Sequence, residues 1–81
     1  MKRIILSNIY EFPNVTAEDL AKTLAKHGYS VNLDDKEKLE YLSSSALLAG
    51  QYGETIEDCC ETWFEDIFIN YPEDVKWLSE D

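Results

Sequence analysis

Of the 81 residues only seven are lysine or arginine, three glycine, two proline, two cysteine and one histidine. So few glycines leave no phosphate-binding loop and no dinucleotide fingerprint. The two cysteines, Cys59 and Cys60, are adjacent within a helical pattern. Neighbouring helical side chains diverge, so they cannot bridge each other. A redox pair wants two intervening residues, and a zinc site wants four ligands, for which His27 is the only other soft donor. No metal and no cofactor is therefore expected, and the cysteines read as small apolar core residues. Long hydrophobic runs are also missing. Ile4-Ile5-Leu6 falls short of the about 7–15 apolar residues of a signal peptide and the ~20 of a membrane span. The chain is expected in a reducing cytoplasm, with no membrane partner.

The scarcest commodity is positive charge late in the chain. From Glu54 to Asp81 there are ten carboxylates and a single lysine, Lys76, a net charge of −9 out of −10 overall. Such a charge exceeds the roughly 2–8 units that keep a small domain soluble. It repels nucleic acid and anionic membrane, and it attracts basic protein surfaces.

The length suits one domain, residues 1–81, with a hydrophobic fraction of 44% that supports a real core. Residues 2–12, rich in β-branched and aromatic types, read as a strand ending at Pro13-Asn14. Thr16 with Asp19 forms a capping-box signature, Val15 can staple onto Leu20, and Ala17, Leu20, Ala21, Leu24 and Ala25 make one stripe. Gly28 should end that helix, with Tyr29 touching Leu24 in a Schellman arrangement. Tyr29, Val31 and Leu33 alternate with polar residues and read as a second short strand.

Asp34 with Glu37 opens the next helix, whose apolar face is Leu39, Leu42, Ala46 and Ala49 up to Gly50. Thr55 with Asp58 starts another, on which Ile56, Cys59, Cys60, Trp63, Phe64, Ile67 and Phe68 share one wide face. Pro72 begins a final helix containing Val75, Trp77 and Leu78. The expected fold class is α+β: a compact domain of order β-α-β-α-α-α with a small, parallel two-stranded sheet. Two strands alone are marginal, which makes a homodimer that extends the sheet a possibility to test.

Catalysis is not expected. His27 sits where a histidine complements a helix C-terminus, and no nucleophile accompanies it. A glycosidase-type carboxylate pair needs a sugar-holding cleft that so short a chain can scarcely build. Asp34-Asp35-Lys36-Glu37 lacks the ligand spacing and turn glycine of a calcium loop.

The functional signal is the acidic face. Glu54, Asp58, Glu61 and Glu65 recur at offsets 0, 4, 7 and 11, in a row opposite Trp63 and Phe64. Like charges three or four residues apart cost a helix about 0.2–0.5 kcal/mol per pair. Earlier helices offset theirs with lysines, Glu18 facing Lys22 and Asp34 facing Lys38, whereas this helix has none. Tyr52, Tyr71 and Trp77 flank the acidic stretch as candidate interface anchors. The segment Tyr52-Gly53-Glu54-Thr55-Ile56-Glu57 resembles, over six residues, a stretch opening a helix in barstar-type ribonuclease inhibitors. The element order departs from that family, and the resemblance implies only the analogy of a small acidic inhibitor covering a basic site.

The expected partner-binding residues are Glu54, Glu57, Asp58, Glu61, Glu65, Asp66, Glu73 and Asp74. They suit a non-enzymatic inhibitor of a basic nucleic-acid-handling protein, of the anti-restriction, anti-CRISPR or immunity kind, that presents a nucleic-acid-like carboxylate surface. Direct nucleic-acid binding is not expected. The rival reading is an adaptor or oligomerisation module whose acidic face is merely solvated.

Overall fold

A computed structural model describes residues 12–80. Over these the chain folds into four helices: α1 (Ala17–Lys26), α2 (Lys36–Ala49), α3 (Ile56–Asn70) and α4 (Pro72–Ser79). There is no strand among the described residues. This overturns the α+β expectation, its β-α-β-α-α-α order and its two-stranded sheet. The first expected strand lies outside the described residues except for Phe12, which is exposed and in no strand.

The second expected strand fails for a visible reason. Tyr29, Val31 and Leu33 do turn alternately inward, each half-buried against the core. Alternation requires only an extended chain with one covered side; a strand also needs a neighbour for its backbone N–H and C=O groups. Here the segment is instead a connector. The Asn32 side chain accepts from the Asp34 amide at 3.0 Å, and the Asn32 carbonyl accepts from the Asp35 amide at 3.1 Å. These bonds bend the chain into α2.

The helix ends of α1 follow the sequence closely. The Thr16 hydroxyl oxygen accepts from the Asp19 amide at 3.2 Å, and the Asp19 carboxylate accepts from the Thr16 amide at 3.0 Å. Val15 and Leu20, either side of that box, are both buried. At the other end Gly28 takes φ +95°, the Tyr29 amide donates to the Leu24 carbonyl at 2.8 Å, and the Gly28 amide to Ala25 at 3.0 Å. That is a Schellman motif. The buried face is Leu20, Thr23 and Leu24, while Ala25 is exposed. Thr23 is tolerated inside because its hydroxyl donates to the Asp19 carbonyl at 3.1 Å.

In α2 the cap is Asp35 rather than Asp34, its carboxylate accepting from the Glu37 and Lys38 amides at 3.0 and 3.3 Å. The buried residues are Lys38, Leu42, Ala46 and Ala49, with Leu39 exposed. In α3 Thr55 caps through the Asp58 amide at 3.1 Å, and Cys59, Cys60, Trp63, Phe64 and Ile67 are buried. Its apolar stripe is narrower than expected, since Ile56 and Phe68 are 42% and 47% exposed. Pro72 occupies the start of α4, which buries Val75 and Leu78.

Helix α1 packs against α2 and α3, and α3 packs against α2 and α4. Among the described residues the thirteen buried apolar side chains form one core. Burying a side chain of the size of Leu, Ile or Phe contributes about 1.5–3 kcal/mol, so the bulky face of α3 is a main source of cohesion. The chain before α1 crosses the end of α2 closely: a Cβ at Gly50 would lie 2.8 Å from the Pro13 carbonyl oxygen.

Candidate functional site

Packing of α3 by its Cys59–Ile67 face fixes where its acids go. Asp58 and Glu65 are exposed on the opposite side and Glu57 on its flank, with Glu54 exposed in the preceding turn. None of these four side chains, nor that of Glu73 on α4, makes a hydrogen bond or ion pair among the described residues. Glu57, Asp58 and Glu65 span ~12 Å of helix at 1.5 Å per residue, a mean axial interval of about 6 Å between charges. A DNA strand carries one per about 3.4 Å of its axis, so these acids have roughly half that density.

Glu61 stands apart from its neighbours. Its two carboxylate oxygens are divided between the end of α1: Oε2 accepts from Lys26 Nζ at 2.7 Å, and Oε1 lies 2.9 Å from His27 Nε2. The Lys26 hydrogen bond, then that of His27, holds the Glu61 carboxyl below the usual carboxylate range. The same bond holds the Lys26 ammonium above its ordinary value. The His27 ring also stacks on Phe64, with centroids 4.1 Å apart and planes within 6°. Phe64 in turn stacks on Phe68 at 5.5 Å, and Tyr29 tilts against both. His27 is thus the C-cap of α1, as expected, and also the piece that docks α1 onto α3. The expectation of an acidic row wholly without relief is corrected: one of its members, Glu61, is a structural clamp.

The local ion pairs expected on the first two helices are absent. Neither Glu18 with Lys22 nor Asp34 with Lys38 forms one among the described residues. Lys38 is 5% exposed. Its stem lies in the core stripe, its ammonium sits 5.7 Å from the Trp77 ring centroid, and it donates to the Glu80 carbonyl oxygen. A lysine can occupy such a place because its four-carbon stem is apolar and only the tip needs a polar partner.

Asp66 and Asp74 are half-buried, unlike the acids of the outer face. Asp66 Oδ1 accepts from the Asn70 amide group at 2.8 Å, and Asp74 Oδ2 accepts from the Tyr41 hydroxyl at 2.8 Å. Burial, and then the Asp74 bond, pushes the Tyr41 hydroxyl well above the ordinary tyrosine range, so it remains a donor. Tyr41 also meets Trp77 edge-on at 5.7 Å. Both acids line a crevice of about 260 Å³ between α2, α3 and α4. The eight expected residues therefore divide into an outer, unpartnered set (Glu54, Glu57, Asp58, Glu65, Glu73), the clamp Glu61, and the crevice pair Asp66 and Asp74.

Cys59 and Cys60 are buried free thiols, and burial raises that of Cys60, which suits packing rather than reactivity. No cluster of metal-ligating side chains occurs among the described residues, and none of their helices is long and apolar enough to cross a membrane. Comparison with known proteins finds no matching family model, no matching curated protein and no matching solved structure.

Proposed function

We propose that this protein binds and inhibits a basic nucleic-acid-handling protein, presenting the outer face of α3 in place of a nucleic-acid backbone. The observation that carries the reading is the set Glu57, Asp58 and Glu65: exposed, within ~12 Å of helix, and in no ion pair among the described residues. The contrast with Glu61 strengthens it. Glu61 is held by Lys26 and His27, whereas the outer acids form no ion pair among the described residues, Glu57 lying only within the field of Lys26. Glu57 and Asp58 are favoured by the helix N-terminus, but Glu65 lies past it and repels Glu61 one turn earlier, a cost of tenths of a kcal/mol. Arginines and lysines of a partner would remove the repulsion on binding, speed association and occlude the partner's nucleic-acid site. Nothing in this action requires the chain to perform chemistry.

The test is retention of proteins from a cell extract at low salt by the wild-type chain and by a variant carrying Glu57→Lys, Asp58→Lys and Glu65→Lys. A nucleic-acid-binding protein held by the first, released by the second and eluted by moderate salt is the expected result. Equal retention on both would remove the basis for the proposal.

A second reading, an adaptor or self-associating module, draws on the apolar side chains left outside. Leu47 is 78% and Ile69 69% exposed. In that case Leu47→Ser with Ile69→Ser would abolish a dimer seen by sedimentation, while the triple reversal would leave it intact.

A further inference from the structure

The crevice between α2, α3 and α4 has a composition distinct from both the acidic face and the core. Its lining includes buried Trp63, the exposed rings of Tyr52 and Tyr71, and the carboxylates Asp66 and Asp74, with Tyr41 holding one of them. Each carboxylate spends one oxygen on an internal bond, leaving Asp66 Oδ2 and Asp74 Oδ1 without a partner among the described residues. Among the described residues no lysine, arginine or histidine lines the space. At about 260 Å³ it is below the roughly 300–1,000 Å³ of pockets that hold whole metabolites, and so better matched to a single side chain.

The geometry points to this crevice as a socket for one arginine side chain of a partner protein. A guanidinium is planar, stacks on aromatic faces, and offers five donors that can serve two carboxylates together. A lysine ammonium uses the carboxylates but gains less from the rings. A neutral aromatic side chain would leave both free carboxylate oxygens unanswered as the crevice closed over them. The Tyr41 hydroxyl and the Asn70 amide fix the two acids beforehand, so less side-chain freedom is lost on binding. This assignment rests on the proposed inhibitor reading for the nature of the partner, and it supplies that reading with an anchoring contact set apart from the diffuse outer charge.

The experiment uses the isolated full chain, which separates it from the extract test above. The probes are N-acetyl-arginine methylamide and its neutral isostere N-acetyl-citrulline methylamide, titrated while following the Trp63 indole resonance by NMR. The expected result is saturable binding of the arginine probe, at least tenfold tighter than citrulline. That binding should fall at least tenfold in Asp66→Asn with Asp74→Asn, which keeps acceptors for Tyr41 and Asn70. In Glu57→Gln with Glu65→Gln it should be nearly unchanged. Equal binding of the two probes, or equal losses in the two double variants, would overturn the socket and leave the outer-face proposal standing. Tighter probe binding after Lys2→Ala with Arg3→Ala would make this chain's own N-terminal segment the occupant and would overturn assignment to a partner. Intact probe binding with no loss of extract proteins on triple reversal would sink the inhibitor reading and leave the socket.

Discussion

Reversing Glu65 to lysine should make the protein more stable while removing part of its proposed binding surface. Glu65 is exposed, has no ionic partner among the described residues, and follows Glu61 by one helical turn. Glu65→Lys removes one like-charge pair, recovering about 0.2–0.5 kcal/mol, and creates an attractive Glu-then-Lys pair in the favoured order, adding a similar ~0.2–0.5 kcal/mol. Lys26 already offsets part of the Glu61 charge, so the sum is at most about 0.4–1 kcal/mol. For a domain of this size each kcal/mol moves Tm by about 4–8 °C, so Tm should rise, by up to about 8 °C at low ionic strength. Thermal unfolding followed by circular dichroism measures this directly. Glu61→Lys provides the contrast, because it sets a second ammonium against Lys26, removes the carboxylate that Lys26 and His27 share at the α1–α3 junction, and should lower Tm. If Glu65→Lys lowers Tm instead, that carboxylate serves the fold and the division of the acidic face into clamp and free surface is wrong.

Other outcomes follow from the same structure. Gly28→Ala should cost about 1–2 kcal/mol in denaturant unfolding, because φ +95° is left-handed while the space around the added Cβ is open; no loss would mean that the Schellman turn does not limit stability. The Glu61 carboxyl is held below its ordinary value, so its contribution is present above the unfolded-state pKa and is lost as pH falls through the folded one. Lys26, held above its ordinary value, contributes below that value and loses its effect as pH rises through the folded one. Acid titration of unfolding should therefore show a shallower acid limb in Glu61→Gln than in wild type. Leu47→Ser with Ile69→Ser should change monomer stability by no more than about 0.5 kcal/mol, since both are exposed; a larger loss would show that these side chains are covered.

Local signals were the legible part of this fold. Thr16-Asp19, Gly28-Tyr29, Thr55 and Pro72 each act through backbone groups within a few residues, so their chemistry can be read without knowing the rest of the chain. The error over Tyr29–Leu33 arose because period-two alternation records one-sided burial and is silent on whether a second strand lies beside it. Lys38 was missed because positions 38 and 39 both fit a helical stripe through Leu42, Ala46 and Ala49. Hydrophobicity favoured Leu39, although Lys38 has an apolar stem long enough to reach the Glu80 carbonyl. The acidic set was read from the sequence as one surface, whereas in the fold Glu61 and the pair Asp66 and Asp74 part from the outer acids. Glu61 meets Lys26 and His27 from more than thirty positions away, and Asp74 meets Tyr41 from across the core. Such pairings depend on how helices dock, which spacing within one helix does not encode. His27-Gly28 at a helix end, facing a helix rich in acids, was the one available hint.

The central claim is that the free carboxylates of α3 occupy a surface that a partner otherwise uses for nucleic acid. Once a retained protein is in hand, the most direct measurement is its binding to a labelled nucleic-acid duplex while this chain is titrated in. The account predicts competitive displacement of the duplex by the wild-type chain, weakened by salt, and little displacement by the Glu57→Lys, Asp58→Lys, Glu65→Lys variant. Simultaneous binding of the chain and the duplex to the partner, with neither affecting the other, would contradict it.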